Sequence, residues 1–305
     1  MPLELVHSDL AEANVPSIGG GKYVLTFKDD ATSHGIVFIL ANKQPSTVLK
    51  AFKGYQAWTE RQSEWQIKEL RVDCGKEYMG EMFEYIKSQG IEYNPTAGYS
   101  PQSNGVAERM DRTLFEAACT MLDAAGAPLE LWGEAVFAAR HIQNRLPFRM
   151  LGKTPHEAWT GKKPTVGHIR KWGCKVYRHI NKKTGRTKLD KKSMAGFLVG
   201  YESKNIYRIY YPDTKEFKIL WDVIFSENQF SNLRHAESED QQLELNGRDA
   251  EENEMDGDVQ ASAPHETSTP ILLDQIVVQS LRWSQKSLWN QEPTPSKAPN
   301  CRTHR

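Results

Sequence analysis

Four cysteines in 305 residues are too few and too scattered to organise a fold. Cys74, Cys119, Cys174 and Cys301 form no Cys-x-x-Cys pair. That disfavours a zinc site and a disulfide scaffold and suggests a reducing compartment. No apolar run reaches the roughly 18 residues of a membrane span, and the first residues, Met-Pro-Leu-Glu-Leu-Val-His, do not make a signal peptide. There is no internal repeat. Hydrophobic residues are 39% of the chain, adequate for one good core but low for a chain packed throughout, so a poorly packed segment is expected. Net charge is also missing, with 39 basic and 39 acidic residues. The balance hides a polarised distribution: residues 140–192 carry 16 Lys or Arg against two acids, and residues 236–260 carry ten acids against one base. A basic middle and an acidic tail suit a polyanion-binding region followed by a solvated linker; an ordinary charged surface is the alternative.

The hydrophobic pattern divides the chain. An extended segment ends at Asp9, and Lys22 to Phe27 and Gly35 to Leu40 are β-branched and aromatic runs that read as strands. Val48, Phe52 and Tyr55 follow helical spacing, Ile67 to Val72 reads as a strand, and Met79 to Ile86 marks a short helix closed by Gly90. Asn94 to Gly105 reads as a loop. Val106, Met110, Leu114, Ala117 and Met121 then trace one helical face, and Pro128 to Asn144 a further helix. Thr154-Pro-His-Glu157 has capping-box spacing. From Trp172 short strands alternate with turn signals until about Phe225, and beyond Asn228 periodicity fails. The expected divisions are 1–125, an α/β unit with a mixed sheet flanked by helices; 126–170, its helical extension; 171–228, a small all-β module; and 229–305, a disordered acidic linker.

Three carboxylates stand in recognisable settings: Asp9 in Leu-Val-His-Ser-Asp, Asp73 in Leu-Arg-Val-Asp-Cys-Gly, and Glu108 in Ser-Pro-Gln-Ser-Asn-Gly-Val-Ala-Glu-Arg. Asp9 and Asp73 fall at predicted strand ends and Glu108 in the first turn of a predicted helix. Such elements can converge at one sheet edge, where ligand sites of α/β proteins form. Three converging carboxylates suit a pair of magnesium ions, which can activate an attacking oxygen and stabilise a departing one in phosphoryl transfer. The pair Asp29-Asp30 reads as turn chemistry, and His7, His141 and His168 as structural.

These strings, with Asn144-Arg-Leu-Pro147 and Thr154-Pro-His-Glu-Ala-Trp159, resemble the integrase core of copia-type retrotransposon Pol polyproteins, within the superfamily of retroviral integrases and DDE transposases. The resemblance covers about Leu3 to Trp159, and the β module resembles the SH3-like domain that follows the core in that family. It implies a ribonuclease-H-like fold and an enzyme that processes 3′ DNA ends and joins element DNA to target DNA. By position, Asp9 would bridge two Mg2+ (or Mn2+) ions, Asp73 would bind one and Glu108 the other. Asn104, Arg109 and Arg112 would contact DNA near the metals, and Arg170, Lys171, Lys182 and Lys183 would hold its backbone. The resemblance further implies a homo-multimer acting in the nucleus, with no membrane partner. Three departures stand against the pattern: Cys74 where Asn is common, no Gly-Pro turn after Asp9, and a short gap between Asp73 and Glu108. Two other readings therefore stay open, a catalytically inactive nucleic-acid-binding remnant and a nuclease acting on RNA–DNA hybrids.

Overall fold

The computed structural model describes residues 1–73, 75–95, 101–179, 192–228 and 233, with only the backbone described over 101–111. Three strands open the chain: β1 (Leu5–Glu12), β2 (Tyr23–Asp29) and β3 (Gly35–Leu40). They pair antiparallel in sequence. Helix α1 (Pro45–Gln62) then carries the chain over the sheet to β4 (Glu69–Val72), which pairs parallel to β1. Helix α2 (Glu81–Ser88) makes the next crossover, to β5 (Glu92–Pro95), parallel to β4. The sheet order is β3-β2-β1-β4-β5, so the strands bearing Asp9 and Asp73 are central neighbours. This is the mixed sheet of the ribonuclease-H-like fold.

Both faces of the sheet are covered because its central strands alternate two sets of apolar side chains. Leu25, Phe27, Ile36, Phe38, Leu70 and Val72 face α1 and α2. Phe27 stacks on Tyr55 of α1 with ring centroids 4.5 Å apart and meets Phe38 edge-on at 5.8 Å. Such offset and edge contacts suit aromatic quadrupoles. On the other face, Val24, Val37 and Ile39 meet α3 (Pro101–Ala124) and α4 (Trp132–Gln143). Leu114, Ala118 and Leu122 repeat every four residues, which lays one stripe of α3 on the sheet.

Helix α3 begins at Pro101, seven residues before Glu108, so Glu108 lies in the third helical turn instead of the expected first. A proline at the first helical position suits the start of a helix, since its fixed φ is already helical and its missing N–H has no intrahelical role there. The loop predicted to run to Gly105 is accordingly shorter. Strand β1 likewise runs on to Glu12, because antiparallel pairing with β2 continues past Asp9 as far as Glu12.

After the short helix α5 (Pro155–Thr160) comes the second sheet, with strands β6 (Lys175–His179), β7 (Ser193–Ser203), β8 (Ile206–Tyr211), β9 (Glu216–Leu220) and β10 (Val223–Ser226). The apolar run from Phe217 to Phe225 is not one strand: it is broken at Trp221 and Asp222 into β9 and β10. All pairings are antiparallel, in the order β10-β6-β7-β8-β9. Two residues between β9 and β10 span at most about 11 Å, yet those strands are the two edges. The sheet must therefore curl toward closure, as an SH3-like barrel does. Irregular register between β7 and β8 supplies part of that bend.

This module is not a separate bead. One apolar cluster joins Val37 and Ile39 of the first sheet, α3 and α4, and Phe197, Leu198, Tyr207 and Ile209 of the second. Leu233 also enters that cluster, 1% exposed, and its N–H faces the Ala125 carbonyl at 3.4 Å. It lies five residues beyond the last expected β-module position. The rest of the expected acidic linker, including Ile271 to Val278, lies outside the described residues.

Candidate metal centre and nucleic-acid face

The pairing of β1 with β4 brings two of the three carboxylates together. Leu5, Val6 and His7 pair with Glu69, Leu70 and Arg71, an offset of 64 residues. Continued by two residues, the same offset sets Asp73 opposite Asp9, and adjacent strands run about 4.8 Å apart. Asp9 also pairs with Thr26 of β2, whose neighbour on that face, Val24, packs under α3 and α4. Cross-strand partners share a face, so Asp9 belongs to the face that α3 covers. Helix α3, which carries Glu108, packs directly against β1. The side chain of Glu108 lies outside the described residues, as do those of Asn104 and Arg109. Among the described residues, no three His, Cys, Asp or Glu side chains form a metal-holding group.

Local chemistry keeps the two aspartates in place. The Leu10 N–H donates to Asp9 Oδ1 at 2.9 Å, and the Gly75 N–H donates to Asp73 Oδ1 at 3.2 Å, a turn bond just past β4. Both side chains are half-buried. Beneath them the buried Tyr78 hydroxyl and Ser8 hydroxyl share a 3.0 Å hydrogen bond. Burial raises the Tyr78 phenol well above its usual range; the Ser8 bond opposes that rise, and the charges of Asp73, Asp9 and Glu77 add to it. One phenol thus senses both carboxylates. Half-exposed carboxylate oxygens of this kind are hard donors suited to Mg2+ or Mn2+.

The neighbouring acids have other work. Asp29 accepts from the Leu3 N–H at 2.7 Å and from the Thr32 N–H at 2.8 Å, fixing the β2–β3 turn. His7 Nε2 meets Asp30 Oδ1 at 2.9 Å. Asp29 and Asp30 therefore serve the turn, and His7 one of its partners.

With that geometry in view, the relatives are informative. A family model described as the retroviral polymerase SH3-like domain matches residues 174–239. Over 231 residues the chain is 39% identical to the retrovirus-related Pol polyprotein from transposon TNT 1-94 of Nicotiana tabacum, covering 74% of this chain and 17% of that protein. The chain belongs to the retrotransposon Pol polyprotein family. The Pol polyprotein from transposon RE1 of Arabidopsis thaliana is 29% identical over 231 residues, 75% of this chain and 16% of the relative. The Ty1-LR3 Gag-Pol polyprotein of Saccharomyces cerevisiae is 24% identical over 222 residues, 70% and 12% respectively. The chain thus spans less than a fifth of these relatives. Among solved structures, the HTLV-2 integrase catalytic core domain in complex with magnesium, in a trimeric form, aligns at 15% identity and a TM-score of 0.42, covering 52% of this chain and 97% of that one.

The basic stretch of this Pol polyprotein chain is not one continuous surface. Arg140 is only 6% exposed, and its guanidinium lies over Gly35, where an added Cβ would stand 2.7 Å from Nη1. Arg145 donates to the His141 carbonyl at 2.9 Å, and burial lowers its pKa to about 10. Both serve the interior. Arg170 is half-buried, pairs with Glu227 at 3.4 Å, and donates to the Gly167 and Ile169 carbonyls. Lys171 is exposed and reaches the Glu227 carbonyl at 3.5 Å. Arg112 is exposed on α3. Lys182 and Lys183 lie outside the described residues.

Sequence reasoning passed over Lys28. It alternates with Thr26 along β2 and pairs with His7 and Gly35, so it stands on the Asp9 face one row away. Strand parity alone would have found it once the β1–β2 register was known. The Asn-Arg-Leu-Pro motif also has a structural explanation: the Asn144 amide donates to the Gly35 carbonyl at 2.8 Å and accepts from the Gly35 N–H at 3.1 Å. A side chain thereby completes the hydrogen bonding at the start of β3.

Proposed function

We propose that this chain is the catalytic and SH3-like portion of an integrase-type polynucleotidyl transferase. It would trim the 3′ ends of element DNA and join them to target DNA. The observation that carries this reading is the parallel register of β1 with β4, which continued by two residues sets Asp73 beside Asp9, with Asp9 on the face covered by α3, the helix that bears Glu108. Asp9, Asp73 and Glu108 would hold the metal ions. Bound there, divalent cations supply a Lewis acid for the attacking and departing oxygens. The chain's own share is placement. β1 and β4 carry the two carboxylates on neighbouring central strands, and the Gly75 and Leu10 amides orient their oxygens. Arg112, exposed one turn past Glu108, would take a phosphate, as would Asn104 and Arg109 nearby. Lys171 and the exposed Arg149, Lys153, Lys162 and Lys163 would follow the backbone, as would Arg170; Lys182 and Lys183, outside the described residues, belong to the same proposal. Such binding weakens steeply with salt. A homo-multimer acting on chromosomal DNA in the nucleus belongs to the same proposal.

The test is magnesium-dependent disintegration of a branched DNA, with Glu108→Gln as control. Activity in the parent and none in the variant is the expected outcome. Intact DNA binding with no cleavage in either would favour the inactive remnant, for which the Cys74 departure is the motivating feature. Cleavage of RNA–DNA hybrid in preference to branched DNA would instead favour a hybrid-directed nuclease.

A further inference from the structure

Beside the Asp9 row the α3/α4 face opens into a groove of about 600 Å³. Lys28 lines it from the strand row His7–Lys28–Gly35, the next row on the face of Asp9–Thr26–Val37. Ordinary sheet spacings put Lys28 about 8 Å from Asp9, Cα to Cα. Among the described residues the lining includes two cations, Lys28 and Arg140, and no acid. Thr113 of α3 and Gln143 of α4 add neutral hydrogen-bonding groups.

The outer wall is a short loop after α4. Phe148 and Lys153 close it by an isolated bridge, with Phe148 N–H to Lys153 O at 3.0 Å and Gly152 N–H to Phe148 O at 3.1 Å. The loop presents Leu146, Phe148 and Met150, which are 54%, 37% and 88% exposed. The Lys28 ammonium sits 5.7 Å from the centre of the Phe148 ring. Exposed Arg149 and Lys153 flank it.

We propose that this groove holds an unpaired nucleotide of a DNA strand, with its base against Phe148 and its phosphate on Lys28. Naming DNA rests on the function proposed above; the groove's chemistry does not. An aromatic ring beside cations is what a single strand requires. Trimming a 3′ end leaves nucleotides of the complementary strand unpaired, and Lys28 shares the Asp9 face. A second copy seated face to face would bring the same cations toward one another, which disfavours it as occupant.

The test is fluorescence anisotropy on the full chain in EDTA, so that neither metal nor turnover enters. One probe is a blunt duplex, the other the same duplex with three unpaired nucleotides at its 5′ end. The parent should prefer the unpaired end about tenfold. Phe148→Ala should abolish that preference and leave blunt-end affinity within about twofold, and Phe148→Trp should keep it. Lys28→Gln should weaken overhang binding and reduce the salt slope by about one. Equal affinity of the parent for both probes overturns the proposal, as does an equal loss on both with Phe148→Ala. Sedimentation velocity covers the remaining occupant: self-association lost in Phe148→Ala, with DNA preference unchanged, would make the groove an interface between copies. Preference for the unpaired end without strand joining would count against the integrase reading and leave the groove standing.

Discussion

The chain holds two pairs of carboxylates in opposite ways. Glu134 of α4 and Glu202 of β7 are buried around one guanidinium, Arg208 of β8, at 2.9 and 3.7 Å. Arg208 also lies 4.8 Å over the Phe217 ring. Burial pushes the Glu134 carboxyl up, and the Arg208 charge draws it back. Asp9, within β1, and Asp73, just past the end of β4, are half-buried on the two central strands. The first pair carries its cation inside the fold and ties α4 to the β module. On the function proposed above, the second would draw one from solution. The same functional group then serves cohesion in one region and, on that proposal, chemistry in the other, and burial decides which.

Arg208→Ala breaks the comparison hardest. It strands two buried carboxylates, so stability should fall by about 3–5 kcal/mol in urea unfolding. Asn144→Ala comes next: it orphans the buried Gly35 N–H and carbonyl at about 1–3 kcal/mol per group. Both losses should appear with the Asp9 edge intact. A pH series sharpens the same contrast. His141 and His168 meet at 3.2 Å between Nε2 atoms on the inward side. Burial, with Arg145 adding, holds His141 well below its usual value and His168 at about 4. The unfolded chain protonates them near 6.5. Stability is therefore complete well above pH 6.5 and drains away as pH falls toward 4, by on the order of 2 kcal/mol per histidine between pH 7 and 5. His168→Gln should flatten that slope. The smallest effect belongs to the half-buried pair. Asp73→Asn should leave stability within about 0.5 kcal/mol, since the amide oxygen can still accept from the Gly75 N–H. Mg2+ at ten times its Kd should raise the parent's stability by about 1.4 kcal/mol and this variant's by less. A drop on Asp73→Asn as large as that of Arg208→Ala would erase the distinction.

Much of this was legible in the residues. The strand–helix order, the capping box at Thr154, whose hydroxyl accepts from Glu157 N–H at 3.0 Å, and the helix spanning Val48 to Tyr55 all follow from periodicity and caps. Asp9 and Asp73 are neighbours because β4 crosses back beside β1, and a parallel neighbour is what a helical crossover produces. The inward arginines were not legible. Arg140, Arg145 and Arg208 look like any solvated cation in a string of letters, and only tertiary packing turns them inward. Glu134 likewise reads as an exposed helix acid until Arg208, 74 positions later, arrives beside it. Long-range pairing of this kind leaves no local signal.

The apolar cluster shared by the two sheets bears on how this protein comes apart. The stretch inherited as a recognisable domain begins at residue 174, but the stretch that melts does not. Cutting there would leave Trp132, Ala135 and Val136 facing water on one piece and Phe197, Leu198 and Tyr207 on the other. Neither half owns a complete interior. Heat or denaturant should therefore find one transition where a map of inherited parts would draw two, and any shuffling of the β module between relatives must carry the matching face of α4 with it.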